Sequence, residues 1–301
     1  MLISLIALTF VSCSDSSKPK NDGGVTVSVT IDVIYEFTKT IAGDKVAVNK
    51  IVPDGVTPHN FEPKARDIAG LSDSDLIIVV GLGMEPWIDK VLSENSGLSV
   101  IEASKGITPL HADHDHDHED KHDDEHAHEH DEEYDPHIWL SLNCAAEMVI
   151  NITDALCELF PENKAFFEAN CKAYLEQLDS LNSEYVQKFD VLEKKDFVTS
   201  HAAFSYLCRD YGLVQNSVSG VFNEGEPNAR KIAELTDFCK EQNISVIFAE
   251  YGESPQLQET LARQTGARVE TLYTLEMSED GMNYIERMSH NLSVIYDSLI
   301  V

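Results

Sequence analysis

Twelve histidines are spread unevenly along the 301 residues: eight fall between positions 111 and 130, and the other four are His59, His137, His201 and His290. Three of those four share a setting. His59 lies in Thr57-Pro58-His59-Asn60-Phe61-Glu62-Pro63, His137 in Asp135-Pro136-His137-Ile138-Trp139-Leu140, and His201 in Thr199-Ser200-His201-Ala202-Ala203-Phe204, each beside an expected strand end or turn. Neutral imidazoles suit Zn²⁺, and also Cu, Ni or Fe, whereas Mg²⁺ and Ca²⁺ want oxygen. Pro58 and Pro136 stiffen the backbone ahead of two of the rings, which helps when a ligand must be held within tenths of an ångström. His290, within YIERMSHNLSVIY, reads as a helix residue outside this group.

The elements that must position these residues alternate in type. From Val25 an alternating strand pattern passes into an amphipathic helix that stops at Gly43, and VNKIVPDG gives a second strand and turn. KARDIAGLSDSD reads as helix, and LIIVVG (76–81) is a continuous apolar run of the kind that parallel strands show when both faces are covered. The second half repeats the logic: strand DFVTSH (196–201) ends at a histidine, a helix closes at Gly212, and NARKIAELTDFCKEQN runs into strand ISVIFAE (244–250). TLARQTGARVETL then gives another helix and strand. Strands alternating with helices imply α/β lobes, whose ligands bind beyond the carboxyl ends of the strands.

Between the halves, apolar residues at 166, 167, 171, 174, 175, 178, 181, 185 and 189 keep a helical period. A single helix of that extent would be roughly 38–40 Å long; two shorter helices with a break near Asp179-Ser180 is the alternative. The expected organisation is a signal peptide (1–12), an anchor linker (13–24), an N-terminal lobe (25–160) with a His/acid-rich loop at 111–135, a connecting helix (161–189) and a C-terminal lobe (190–301).

Composition narrows the function classes. With 22 Lys+Arg against 53 Asp+Glu, the net charge of −31 excludes binding driven by phosphate neutralisation. The window 111–135 holds thirteen acids, eight histidines and one lysine, and so carries twelve of those negative charges. Its lack of apolar content predicts a mobile loop, and its dense imidazoles and carboxylates predict weak divalent-metal binding by many alternative ligand sets. At the start, MLISLIALTFVSC has the length of a signal h-region and not of a membrane span, and Val11-Ser12-Cys13 resembles a bacterial lipobox, in which Cys13 is expected to be lipidated; an ordinary cleaved signal with an incidental cysteine is the alternative. The remaining cysteines, at 144, 157, 171, 208 and 239, are an odd set without C-x-x-C spacing and read as small buried thiols.

TPHNFEP with KARDIAGLSDSDLIIVVGLGMEPW, DPHIWL after a His/acid-rich loop, and SHAAFSYLCRDYGL together resemble the zinc receptors of bacterial ABC importers, over about residues 25–298. The resemblance implies an α/β fold of two (β/α) lobes joined by one long helix, with a single metal in the inter-lobe cleft. His59 and His137 match the family's two ligands from the first lobe, and His201 the first from the second. A fourth ligand, often an aspartate in an L-D-P-L-like turn, falls on Tyr273 of Leu272-Tyr273-Thr274-Leu275. Glu276, three residues on, matches the subset of Gram-positive zinc lipoproteins with a glutamate just after this turn; Glu279, Asp280 or water are the alternatives. Glu62 and Glu250 are expected to accept hydrogen bonds from the imidazoles, Glu226 to be a loop residue that positions the second lobe, and Trp87 and Trp139 to pack in the core, with Tyr134 at the cleft rim.

The function this implies is a lipid-anchored extracytoplasmic receptor, monomeric and without enzymatic activity, that binds Zn²⁺ as cargo and delivers it to an ABC permease. A Mn²⁺ or Fe²⁺ receptor of the same fold with an adhesin role is the alternative. A secreted zinc hydrolase is a third reading, although no H-E-x-x-H or nucleophile motif is present.

Overall fold

A computed structural model describes residues 25–95, 97–112, 133–222, 229–277 and 281–300. The expected signal and anchor (1–24, with Cys13), residues 113–132 of the His/acid-rich loop, Glu226, Glu279 and Asp280 lie outside them.

The chain forms two α/β lobes. In the first, β1 (Thr26–Val29), β2 (Ala47–Lys50), β3 (Leu76–Val79) and β4 (Val100–Glu102) make a parallel sheet in the order β2-β1-β3-β4. Helices α1 (Asp32–Ala42), α2 (Ala65–Ser72) and α3 (Ile88–Glu94) connect its strands. Leu76–Val79 is buried at every residue, as an apolar run between two helical layers must be. Helix α4 (Leu142–Leu159) follows. The Ser141 hydroxyl caps it by accepting the Cys144 amide at 3.0 Å.

A 3-10 turn at Pro161–Asn163 leads into α5 (Lys164–Asp190), 27 uninterrupted residues, or about 40 Å. Phe167, Cys171, Tyr174, Leu178, Leu181, Tyr185 and Phe189 form its buried stripe, packed against α1, α4 and, across the molecule, helices of the second lobe.

In that lobe β5 (Asp196–His201), β6 (Val214–Ser219), β7 (Val246–Glu250) and β8 (Arg268–Leu272) form a second parallel sheet in the order β6-β5-β7-β8. Its helices are α6 (Ser205–Tyr211), α7 (Ala229–Glu241), α8 (Gln256–Thr265) and α9 (Tyr284–Leu299). Gly212 ends α6 with φ 63°, a left-handed C-cap that glycine adopts without steric cost. Asn283 and Glu286 close a reciprocal capping box at the start of α9.

One continuous cluster of buried apolar side chains runs from β1 and α1 through α4 and α5 to Phe197, Phe248 and Leu292 of the second lobe. A smaller cluster, including Val198, Ile247 and Leu261, fills the outer face of the second sheet. The five cysteines in the described residues are free, four of them buried and Cys157 half-buried.

Candidate metal centre

The donors come from one strand end and from the segments that follow strands, the side on which α/β sheets expose loops to ligands. His59 belongs to a 3-10 turn, Pro58–Asn60, and His137 immediately precedes another at Ile138–Leu140. His201 is the last residue of β5, and Glu276 lies in the segment between β8 and α9. One donor atom from each of the four lies within 4.8 Å of all the others. The Nε2 atoms of His59 and His137 are 3.1 Å apart. Glu276 Oε1 is 3.7 Å from His59 Nε2, 3.4 Å from His137 Nε2 and 3.8 Å from His201 Nε2. Donors placed tetrahedrally at the 2.0–2.1 Å bond lengths of zinc stand about 3.3–3.4 Å apart, so these four are spaced to converge on one ion. Among the described residues His201 Nε2 and Glu276 Oε1 are buried without a hydrogen-bond partner, a costly arrangement unless a cation satisfies both.

Carboxylates behind two of the rings fix which nitrogen faces inward. His137 Nδ1 donates to Asp135 Oδ1 at 2.8 Å, and the same oxygen accepts the His137 amide at 2.9 Å. His201 Nδ1 donates to Glu250 Oε1 at 2.6 Å, with the His201 amide at 3.1 Å. Strand register explains the second pair: Val198 of β5 faces Ile247 of β7, and three residues further His201 stands beside Glu250. With Nδ1 committed to a carboxylate, each Nε2 turns its lone pair to the centre and gains basicity.

The electrostatics match this geometry. Burial alone disfavours a charged His137, but the hydrogen bond to Asp135 and the charges of Asp135 and Glu276 outweigh it, pushing the pKa up to about 9. Burial opposes and Glu250 supports the charged form of His201, whose pKa also rises. Burial would raise the Glu276 carboxyl, yet His137 and His59 hold it well below the usual carboxylate range. A buried anion ringed by basic nitrogens suits a divalent cation.

The four residues expected as ligands come together. Glu250 takes the expected supporting place at His201, whereas the Glu62 side chain is exposed to solvent. Asp135 supports His137 with only a weak signal in the sequence, the Asp-x-His spacing. Trp139 is fully buried and donates to Thr274 O at 2.7 Å, while Trp87 packs edge-on to Phe61 at 5.9 Å. Tyr134 packs beside His111 at 5.2 Å, and His290 contacts Thr271 O at 3.1 Å, outside the group.

The family profile described as ZnuA, zinc-uptake complex component A, periplasmic, matches residues 27–298. A protein of Treponema pallidum (strain Nichols) named for metal binding is 43% identical over 287 residues, 95% of this chain and 90% of its own. The high-affinity zinc uptake system protein ZnuA of Bacillus subtilis (strain 168) is 38% identical over 304 residues, 99% of this chain and 94% of its own. The crystal structure of the Zn(II)-bound ZnuA-like domain of Streptococcus pneumoniae AdcA superposes with a TM-score of 0.77 at 33% identity, over 92% of this chain and 99% of that one. Matched along almost its whole described length, the chain belongs to the ZnuA family of zinc-uptake components.

Proposed function

We propose that this chain is an extracytoplasmic receptor that binds Zn²⁺ through His59, His137, His201 and Glu276 and passes it to an ABC permease. The observation that carries the reading is the convergence of the four donors, with His201 Nε2 and Glu276 Oε1 buried and otherwise unpartnered. Nitrogen-rich donor sets favour zinc over manganese, and one carboxylate offsets one of the ion's two charges in a site of low polarity. Four protein donors fill a tetrahedral shell and leave no open position for a reacting water, which supports cargo binding over catalysis. In the same reading residues 1–12 export the chain, lipidated Cys13 tethers it to the membrane, lobes 25–160 and 190–301 hold the cargo between them across the 161–189 connection, and the protein acts as a monomer. No helix among the described residues is long and apolar enough to cross a membrane.

The test is metal analysis of protein purified from mixed-metal medium, followed by competition titration of the wild type and His137→Ala. About one tightly held zinc per chain is expected in the wild type, with a loss of at least a hundredfold in affinity on removing one ligand from a shell of four. Manganese or iron as the retained metal overturns the choice of cargo. Tight zinc binding that survives His137→Ala overturns the ligand set.

A further inference from the structure

The described ends of the His/acid-rich segment meet in a short neck. Ala112 N donates to Glu133 O at 2.9 Å, Asp135 N donates to Leu110 O at 2.9 Å, and His111 pairs with Tyr134 in an antiparallel bridge. A side chain from the other lobe grips the base of this neck. Tyr206 of α6, five residues after His201, is fully buried; its hydroxyl donates to Asp135 O at 2.7 Å and accepts Leu110 N at 3.0 Å.

Asp135 is the residue that orients His137, and its own anchorage is unusual. Oδ1 receives both bonds from His137, whereas Oδ2 is buried without a hydrogen-bond partner among the described residues, none of which steers the carboxylate from its far side. Its aim is therefore set through the main chain, by Leu110 on its amide and Tyr206 on its carbonyl. One phenol thus touches both neck strands, one of which runs directly into the Asp135–His137 pair.

We propose that Tyr206 is a positioning residue that couples the metal centre to the neck of the His/acid-rich segment. Through Asp135 it holds the His137 imidazole in the register that zinc requires, and through Leu110 it makes the order of the neck depend on occupancy of the site. Coupling of this kind is reciprocal: a loosened neck weakens zinc, and zinc firms the neck. The inference rests on the four-ligand reading above.

Tyr206→Phe removes one oxygen and keeps the ring. Tyr211→Phe is the control, because that hydroxyl also bridges elements of the structure, at 2.9 Å to Asn182 Oδ1, but has no contact with the site. Zinc affinity by competition, zinc release to a chelator, and amide hydrogen exchange at Leu110 and Ala112 with and without one equivalent of zinc are the readouts. Tyr206→Phe is expected to weaken zinc by about tenfold, the low end for lost outer partners of a ligating histidine, mainly through faster release. Zinc should slow exchange at both neck amides in the wild type and in Tyr211→Phe, and cease to do so in Tyr206→Phe. Affinity within about twofold of wild type, or retained zinc-dependent protection of the neck, overturns the proposal. Should Tyr206→Phe fail to fold, 3-fluorotyrosine at 206 keeps the ring and hydroxyl while altering the strength of both bonds; unchanged zinc release then overturns it. His137→Ala separates the two readings: if that variant still binds zinc tightly the ligand set is wrong, whereas zinc loss there beside a silent Tyr206→Phe condemns the coupling alone.

Discussion

Each imidazole in the centre has two nitrogens, and its role depends on which one carries the hydrogen. Asp135 and Glu250 settle this for His137 and His201 by taking Nδ1–H, and the same carboxylates raise the basicity of the inward nitrogens. On the proposed ligation a proton and zinc compete for one lone pair on each of these rings. With the His137 pKa at about 9, metal-free protein at neutral pH holds a proton that zinc must displace. Zinc affinity is thus expected to rise with pH, by up to about tenfold per unit for one displaced proton, and to level off above about 9. Calorimetry in buffers of different ionisation enthalpy checks this, since at least one proton should be released per zinc near pH 7, His137 supplying one and His201, whose pKa is also raised, adding to it; affinity that is flat or falls between pH 6.5 and 9 refutes it. The three histidines were legible in the sequence because Pro-His turns and a strand-terminal histidine have local signatures. Their supporters were only half legible. Glu250 ends a readable strand and its register partner is His201, but Glu62, adjacent to a ligand turn in sequence, points to solvent because a 3-10 turn followed by extended backbone carries it away from the ring.

Among the elements, the arm that presents Glu276 depends most on distant residues. Asn291 of α9 brackets Tyr273, accepting its amide at 2.9 Å and donating to its carbonyl at 2.7 Å. Trp139 holds Thr274 O, and Arg287 reaches Met277 O at 3.3 Å. Between them Leu275 is fully buried with φ 61°. A left-handed leucine costs about 1–2 kcal/mol, whereas deleting its buried side chain would cost about 2–5 kcal/mol, so packing outweighs the strain and glycine is not favoured there. None of these restraints has a local pattern, which is why the sequence left Glu279, Asp280 and water open beside Glu276. Helix α4 is hard to read from sequence for a different reason: its run of Val149, Ile150, Ile152 and Thr153 blurs helical periodicity with β-branched residues. Arg287 also ties α9 to α1, at 2.6 Å from Glu36 and 3.5 Å from Asp32, with only 2% of its own side chain exposed. Arg287→Met leaves the buried carboxylate of Asp32 and the half-buried one of Glu36 facing an apolar group. Lys50 at 2.8 Å relieves Asp32, but Glu36 loses its cation. Urea unfolding of metal-free protein should show a loss of about 3–5 kcal/mol, as expected when one partner of a buried pair is removed. A loss below about 1 kcal/mol would mean that the latch behaves like a surface pair.

For the whole molecule, ligands from two lobes suggest closure around the cargo, but the packing argues for little movement. The lobes share one apolar cluster, and α5 is continuous along the side they have in common. Around the centre, Tyr284 donates to Trp139 O at 2.6 Å, Trp139 donates to Thr274 O, Tyr206 holds Asp135 O, and Ser141 bonds to Asp210. A hinge that opened the cleft widely would break all of these at once, each at a net cost of about 0.5–1.5 kcal/mol once water replaces the partner, and would uncover part of the shared apolar cluster as well. A shift from a mostly open to a mostly closed population takes about 5.5 kcal/mol of differential zinc affinity, and the cross-lobe bonds together with the shared apolar cluster already oppose opening on that scale, so the closed arrangement is expected to dominate with or without metal. Small-angle scattering of protein starting at residue 25, with zinc absent and at one equivalent, is expected to show a radius of gyration differing by less than about 0.5 Å from one near 18–19 Å. A larger contraction would mean that the cross-lobe bonds are made only when zinc arrives, and the centre would then be assembled by its cargo instead of waiting for it.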